Sequence, residues 1–241
     1  MEGNYSNVYR AYDSIEGHPV ALKIPHPHLA DEAFLSDFRK EARLGSRIQH
    51  PNILSLKDAS IIDGHFVMAY PLGEESLSDR LSRRVSHSNL ELIIEQCLEA
   101  LAELHQHQII HCDIKPENFI LFPGPIVKLA DFGIARLAAR TIKASGSGTL
   151  GYMAPEQAMG KPSFRSDVFA MGLLLYKMVT GHVPEYPFKW PPPEYAKLRR
   201  KAHPAFISLL RKSLEPESRR RFVNAQALHK AYMNLPAAAL L

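Results

Sequence analysis

His111-Cys112-Asp113-Ile114-Lys115-Pro116-Glu117-Asn118, followed by Asp131-Phe132-Gly133, is the stretch on which the reading of this 241-residue chain turns. Asp113 and Asn118 stand five positions apart, Asn118 and Asp131 thirteen, and the strand-like Ile126-Val127-Lys128-Leu129 lies between the last two. A carboxylate can orient a hydroxyl and take its proton. A lysine two positions on offsets charge spread over phosphoryl oxygens. An amide and a second carboxylate supply the hard oxygen ligands that Mg²⁺ prefers. The residue types and their spacing suit phosphoryl transfer.

Outward from that stretch, composition sets the class. With 46% hydrophobic and 22% charged residues, the chain can bury a sizeable core in one domain or two closely joined lobes. No apolar run approaches the roughly 20 residues of a membrane span. Met1-Glu2-Gly3-Asn4-Tyr5 lacks the basic region and apolar core of a secretion signal, so a cytoplasmic protein is expected. Cys97 and Cys112 suit reduced thiols better than a disulfide framework. The net charge of +4 is carried by scattered clusters, Arg83-Arg84, Arg199-Arg200-Lys201 and Arg219-Arg220-Arg221. A solvated surface explains such runs, and no nucleic-acid partner is expected. His105, His107 and His111 lack the cysteine or carboxylate that would complete a zinc-ligand spacing.

The first seventy residues alternate short β-type runs, 7–12, 20–24, 61–62 and 66–70, with the turn signals Glu16-Gly17 and Asp63-Gly64, which predicts a small antiparallel sheet. One helix is expected from Asp31 to Ile48, with Phe34, Leu35, Phe38, Ala42 and Leu44 on one face. After Pro71-Leu72-Gly73 the pattern turns helical, at 77–83 and again at 90–105, where Leu92, Ile93, Cys97, Leu98, Leu101 and Leu104 recur. The fold class expected is α+β: a small sheet lobe with one helix (1–70) joined to a larger, mainly helical lobe (71–241). Between such lobes lies a cleft, a common place for ligands.

The catalytic stretch and its Asp-Phe-Gly resemble the corresponding motifs of the protein kinases, and other segments follow in the family's order. Val20-Ala21-Leu22-Lys23 resembles the strand whose lysine contacts the α and β phosphates, and Glu41 resembles the helix glutamate that pairs with it. Gly3-Asn4-Tyr5-Ser6-Asn7-Val8 resembles the latter half of the glycine-rich loop, with Gly3 at the second glycine and Ser6 at the third; the usual first strand has no counterpart. Gly148 to Glu156 resembles the end of an activation segment. The short loops and Ala154-Pro155-Glu156-Gln157 are most similar to bacterial Hanks-type Ser/Thr kinases.

The resemblance implies transfer of the γ-phosphoryl group of ATP, with Mg²⁺, to Ser/Thr hydroxyls of a protein substrate. It assigns Asp113, Lys115 and Asn118 to catalysis and Asn118 and Asp131 to the metal. To the nucleotide it assigns Gly3, Tyr5, Ser6, Val8, Ala21, Lys23, Glu41, Met68, Ala69 and Ile120. It also implies that Thr149 faces the acceptor, that Glu156 pairs with Arg219, and that Asp167 braces the catalytic loop.

Three departures favour an alternative, a pseudokinase acting as a nucleotide-regulated binding module. Pro71 has no N–H for adenine, which leaves the Ala69 carbonyl; the first glycine has no counterpart; and Gly45 replaces an apolar side chain expected against Phe132. A fourth, Cys112 in the place of a phosphate-binding arginine, implies that loop phosphorylation is dispensable.

Overall fold

The computed structural model describes residues 6–26, 36, 39, 42–43, 46–131 and 150–236. The chain opens with β1 (Ser6–Asp13), β2 (His18–Pro25), β3 (Asp58–Ile62) and β4 (His65–Pro71), which form an antiparallel sheet in the order β1-β2-β4-β3. Gly17 (φ 72°) and Gly64 (φ 80°) sit in the turns in left-handed backbone, where a side chain is a handicap. Between β2 and β3, Ser36, Arg39, Ala42 and Arg43 are helical and Ile48 is not. Most of the helix expected over 31–48 lies outside the described residues.

The second part is mainly helical, as expected, with one addition. β5 (Glu75–Ser76), β6 (Phe119–Phe122) and β7 (Ile126–Leu129) make a second antiparallel sheet. The helices described are α1 (Leu77–Leu81), α2 (His87–Gln106), α3 (Pro155–Ala158), α4 (Phe164–Thr180), α5 (Tyr195–Lys201), α6 (Pro204–Ser213) and α7 (Ala225–Met233). Serine starts three of them, at Ser76, Ser86 and Ser163; Ser76 Oγ accepts from Asp79 N–H at 3.1 Å and Ser86 Oγ from Asn89 N–H at 3.3 Å, satisfying donors that an isolated helix end leaves unpaired.

Helices α2 and α4 carry the large core. Ile93, Ile94, Cys97, Leu98, Leu101 and Leu104 of α2 are buried, and Leu92 of the expected apolar set is exposed. α4 is buried from Ser166 to Met178 except at Lys177, as befits a helix apolar on every face. Each leucine so buried stabilises by about 1.5–3 kcal/mol relative to exposure.

A smaller cluster joins Ala42, Leu54, Met68, Tyr70 and Ala130, with Ala21 and Ile120 packed against it. It therefore draws on both sheets. The chain passes between the two cores within residues 48–54: Ile48 and Ile53 lie in the large one and Leu54 in the small one. There Leu129 N–H donates to Asn52 O (2.8 Å) and Leu54 N–H to Leu129 O (2.9 Å). Among the described residues no helix is long and apolar enough to cross a membrane.

Candidate active site

Lys23 reaches the cleft from the middle of β2, opposite Val8 on one side and Met68 on the other. Side chains alternate along a strand, so Lys23 and Ala21 share a face, and it is the face on which Ala21, Met68 and Ile120 join the small core. That core supplies an apolar seat for a flat base. Lys23 is buried, and its Nζ donates to Asp131 Oδ1 at 2.6 Å. Burial alone would raise the Asp131 carboxyl. Lys23, with His111 and Lys115, overrides this and holds it below the usual carboxylate range.

The catalytic stretch is a loop closed by a 3₁₀ turn, Pro116–Asn118, with proline at its first position, where its missing N–H costs nothing. Asn118 Nδ2 donates to Asp113 O (2.7 Å) and to Asp113 Oδ2 (3.1 Å), and Lys115 Nζ stands 2.7 Å from the same Oδ2. Among the described residues, no protein donor meets Asp113 Oδ1. Ala130 N–H donates to Asn118 O at 2.8 Å, which ties the segment carrying Asp131 to the loop.

Two buried groups hold the loop from below. Asp167 of α4 accepts from His111 N–H (2.7 Å) and Cys112 N–H (2.8 Å), and from His105 Nε2 (2.9 Å), as the expected brace would. His105 Nδ1 in turn accepts from Ala225 N–H at the start of α7 (2.9 Å). His111 Nε2 donates to Ala130 O (3.0 Å) and its Nδ1 accepts from Asp113 N–H (3.2 Å). The imidazole therefore links the residue before Asp131 to Asp113 itself.

Cys112 (φ 63°) and Asp131 (φ 59°) both adopt left-handed backbone, a conformation that non-glycine residues keep only when the surroundings impose it. At Cys112 the imposition is visible, since its N–H is held by Asp167 and its carbonyl accepts from Gln157 Nε2 at 2.6 Å. Burial, with Asp167 and Asp113 nearby, pushes its thiol well above the ordinary range. His111, His105 and Gln157 were not legible as site residues. Of these only His111 carries a sequence signal, its place within the motif.

Among the described residues, no cluster of three His, Cys, Asp or Glu side chains forms a metal site. The donors that would face Mg²⁺ are instead one amide and one carboxylate. Asn118 gives its NH₂ to Asp113, which turns Oδ1 outward, and Asp131 uses Oδ1 for Lys23, which leaves Oδ2. One oxygen from each is what a hard cation that keeps several waters and phosphate oxygens needs, so the residues fit.

Of the other nucleotide residues, Ser6 is buried in β1 and Val8 lies beside Lys23. Gly3, Tyr5 and Glu41 lie outside the described residues, as do Gly45, Phe132 and Thr149. The Ala69 carbonyl accepts from Lys57 N–H across the sheet edge at 2.9 Å, because the β3–β4 pairing runs to that residue, and a carbonyl has a second lone pair for another donor.

The partner of Glu156 also needs correcting. Arg221, not Arg219, makes that pair, with Nη1 donating to Oε1 (2.7 Å) and Nη2 to Oε2 (3.1 Å). The Arg221 side chain is fully buried and also donates to the carbonyls of Glu215, Arg165 and Pro216. Arg219 is 83% exposed and pairs with Glu217. A fork of five donors is needed to satisfy so many acceptors at once, and only the inward-facing arginine of the three supplies it.

Residues 2–233 match the family model described as a protein kinase domain. The chain belongs to the protein kinase family. It is similar to the serine/threonine-protein kinase PrkC of Bacillus subtilis (strain 168), 38% identical over 190 residues, covering 76% of this chain and 29% of PrkC. It is similar to the serine/threonine-protein kinase pkn3 of Myxococcus xanthus, 33% identical over 259 aligned positions, covering 94% and 47%. PknL of Mycobacterium tuberculosis (strain ATCC 25618 / H37Rv), a serine/threonine-protein kinase, is 36% identical over 190 residues, covering 76% and 48%. The kinase-family chain thus spans less than half the length of these relatives. Its family accounts for the sheet lobe, the helical lobe and the motifs between them.

Proposed function

We propose that the chain is a catalytically competent protein serine/threonine kinase that transfers the γ-phosphoryl group of ATP to a protein hydroxyl. The observation that carries this reading is the meeting of Lys23 and Asp131, 108 positions apart in sequence, at 2.6 Å, in a segment bound directly to the Asp113–Lys115–Asn118 cluster. Asp113, held through Oδ2, offers Oδ1 to the acceptor hydroxyl and takes its proton as the new oxygen–phosphorus bond forms. The bond from the γ-phosphorus to its bridging oxygen breaks, and ADP leaves with the electron pair. Lys115 offsets charge on the transferring group, and Lys23 holds the remaining phosphates. Mg²⁺, held through Asn118 and Asp131, would neutralise phosphate charge.

Incubating the protein with labelled ATP, Mg²⁺ and a generic protein substrate tests the reading. Transfer is expected, with a loss of about 10²–10⁴-fold on Asp113→Asn. Mg-ATP at a hundred times its dissociation constant should stabilise both proteins by about 2.7 kcal/mol. Pro71, which lies in β4 opposite Val20 without an N–H to offer, favours the second reading, a pseudokinase that binds nucleotide without transfer. Stabilisation without labelling would establish that reading, and neither signal would overturn both.

A further inference from the structure

Residues 150–236 carry fourteen lysines and arginines against six aspartates and glutamates, whereas the whole chain carries 29 against 25. Much of this excess gathers where α4 ends and α5 runs. Lys177, in the last turn of α4, places Nζ 5.9 Å from the centre of the Tyr152 ring. Tyr152 closes the 3₁₀ turn Leu150–Tyr152, and α3 begins three residues later, where Gln157 grips the carbonyl of Cys112 beside Asp113. Lys177 therefore stands beside the segment that leads out of the acceptor site. Gly181 ends α4 with φ 77°, and a Cβ there would lie 3.5 Å from Lys197 Nζ, so Lys197 of α5 occupies the same corner. Arg199, Arg200 and Lys201 follow on α5, all exposed, with Arg200 and Lys201 three and four positions on from Lys197 and so on its face of the helix.

None of these five cations has a carboxylate partner in the described structure. Lys57 pairs with Asp13 and Glu16, Arg83 with Glu75, and Arg219 and Arg220 with Glu217, whereas single cations such as Lys161 and Lys230 also stand without a carboxylate; what sets these five apart is that they gather in one corner. The dipoles of α4 and α5 account for a cation in each last turn. They do not account for five without a counter-charge, nor for a row that starts at the acceptor segment.

We propose that this row docks an acidic segment of the protein substrate flanking its Ser/Thr acceptor; the inference rests on the kinase reading above. A flat polyanion such as nucleic acid or an anionic membrane would not need the row to begin at Tyr152, whereas a peptide whose acceptor lies at Asp113 shares that corner with the segment that Lys177 adjoins.

The test compares three Ser/Thr peptides with acidic, neutral and basic flanks. The expected result is a kcat/KM about tenfold higher for the acidic peptide than for the neutral one at low salt, shrinking at 0.5 M NaCl. In the variants Lys177→Gln/Lys197→Gln and Arg199→Gln/Arg200→Gln/Lys201→Gln the ratio should fall towards unity with the melting temperature unchanged. Fluorescence anisotropy of the labelled acidic peptide on the Asp113→Asn protein reads docking without transfer. Neutral and acidic peptides phosphorylated alike would overturn the docking surface and leave the kinase reading standing. Acidic-peptide binding that the variants lose, without transfer in any assay, would keep the surface and overturn the kinase reading. Anionic vesicles or RNA bound through the row while the acidic peptide is not would replace the proposal.

Discussion

Removing the Arg221 guanidinium strips the carbonyls of Glu215, Arg165 and Pro216 of a shared donor and leaves the Glu156 carboxylate with only the Ser166 hydroxyl (2.7 Å) among the described residues. Breaking a buried pair from one side costs about 3–5 kcal/mol, because the remaining charge stays uncompensated. Arg221→Met should therefore lower the urea midpoint by an amount of that order, whereas Arg219→Ala, in an exposed local pair, should leave the midpoint in place. Equal effects would refute the reassignment. The triplet Arg219-Arg220-Arg221 shows what sequence does not carry at this scale: residue type announces a cation, but burial, which decides its partner, depends on how the 3₁₀ turn Ser218–Arg220 presents each one. That Asp113 and Asn118 meet, with the segment of Asp131 tied to them, was legible from the motif. His105 was not, because its partners, Asp167 and Ala225, lie 62 and 120 positions away.

Gly73 illustrates the element scale. A Cβ there would meet Ile120 Cγ2 at 2.2 Å and Leu121 O at 2.9 Å, so the connector lies directly on β6 and a backbone atom blocks relief. Gly73→Ala should push Ile120 into the apolar seat or lift the connector, at about 1–3 kcal/mol. Mg-ATP affinity is expected to drop roughly tenfold, measured by isothermal titration against the unaltered protein; unchanged affinity would place the base elsewhere. Helix α2 was legible from its 3.6-residue period, and the strands of the first sheet from their turn glycines. Of the second sheet only β7 was, as the strand-like 126–129; β5 has two residues, and no periodicity can show in so few. The bonds made by Gln96, which accepts from Asn52 Nδ2 (2.7 Å) and Val127 N–H (2.8 Å) and donates to Pro125 O (2.9 Å), were equally hidden, since a glutamine on a helix is by default a solvated residue.

At the scale of the molecule, the two cores differ in size, and local opening free energies follow the apolar contacts that must be given up. Native-state hydrogen exchange should find the amides of α2 and α4 opening only with global unfolding, and those of β1, β2 and β3 opening at lower free energy. Mg-ATP should slow exchange in β2, where Lys23 sits. Uniform protection across both sheets and helices would contradict this. The α+β class and the order of the lobes were legible from the change of period after Pro71; the lodging of Ile48 and Ile53 in the large core was not, because it depends on pairing with Leu129. That lodging has a mechanical consequence. The polypeptide leaves the small core after Ala42, lodges Ile48 and Ile53 in the large one, returns at Leu54 and departs again over Pro71–Glu75, so the upper sheet is pinned at that lodging and at the connector, and two pins define an axle. Rotation about that line is the motion such pinning would favour, and the separation of Lys23 from Asp131 would then gauge the angle.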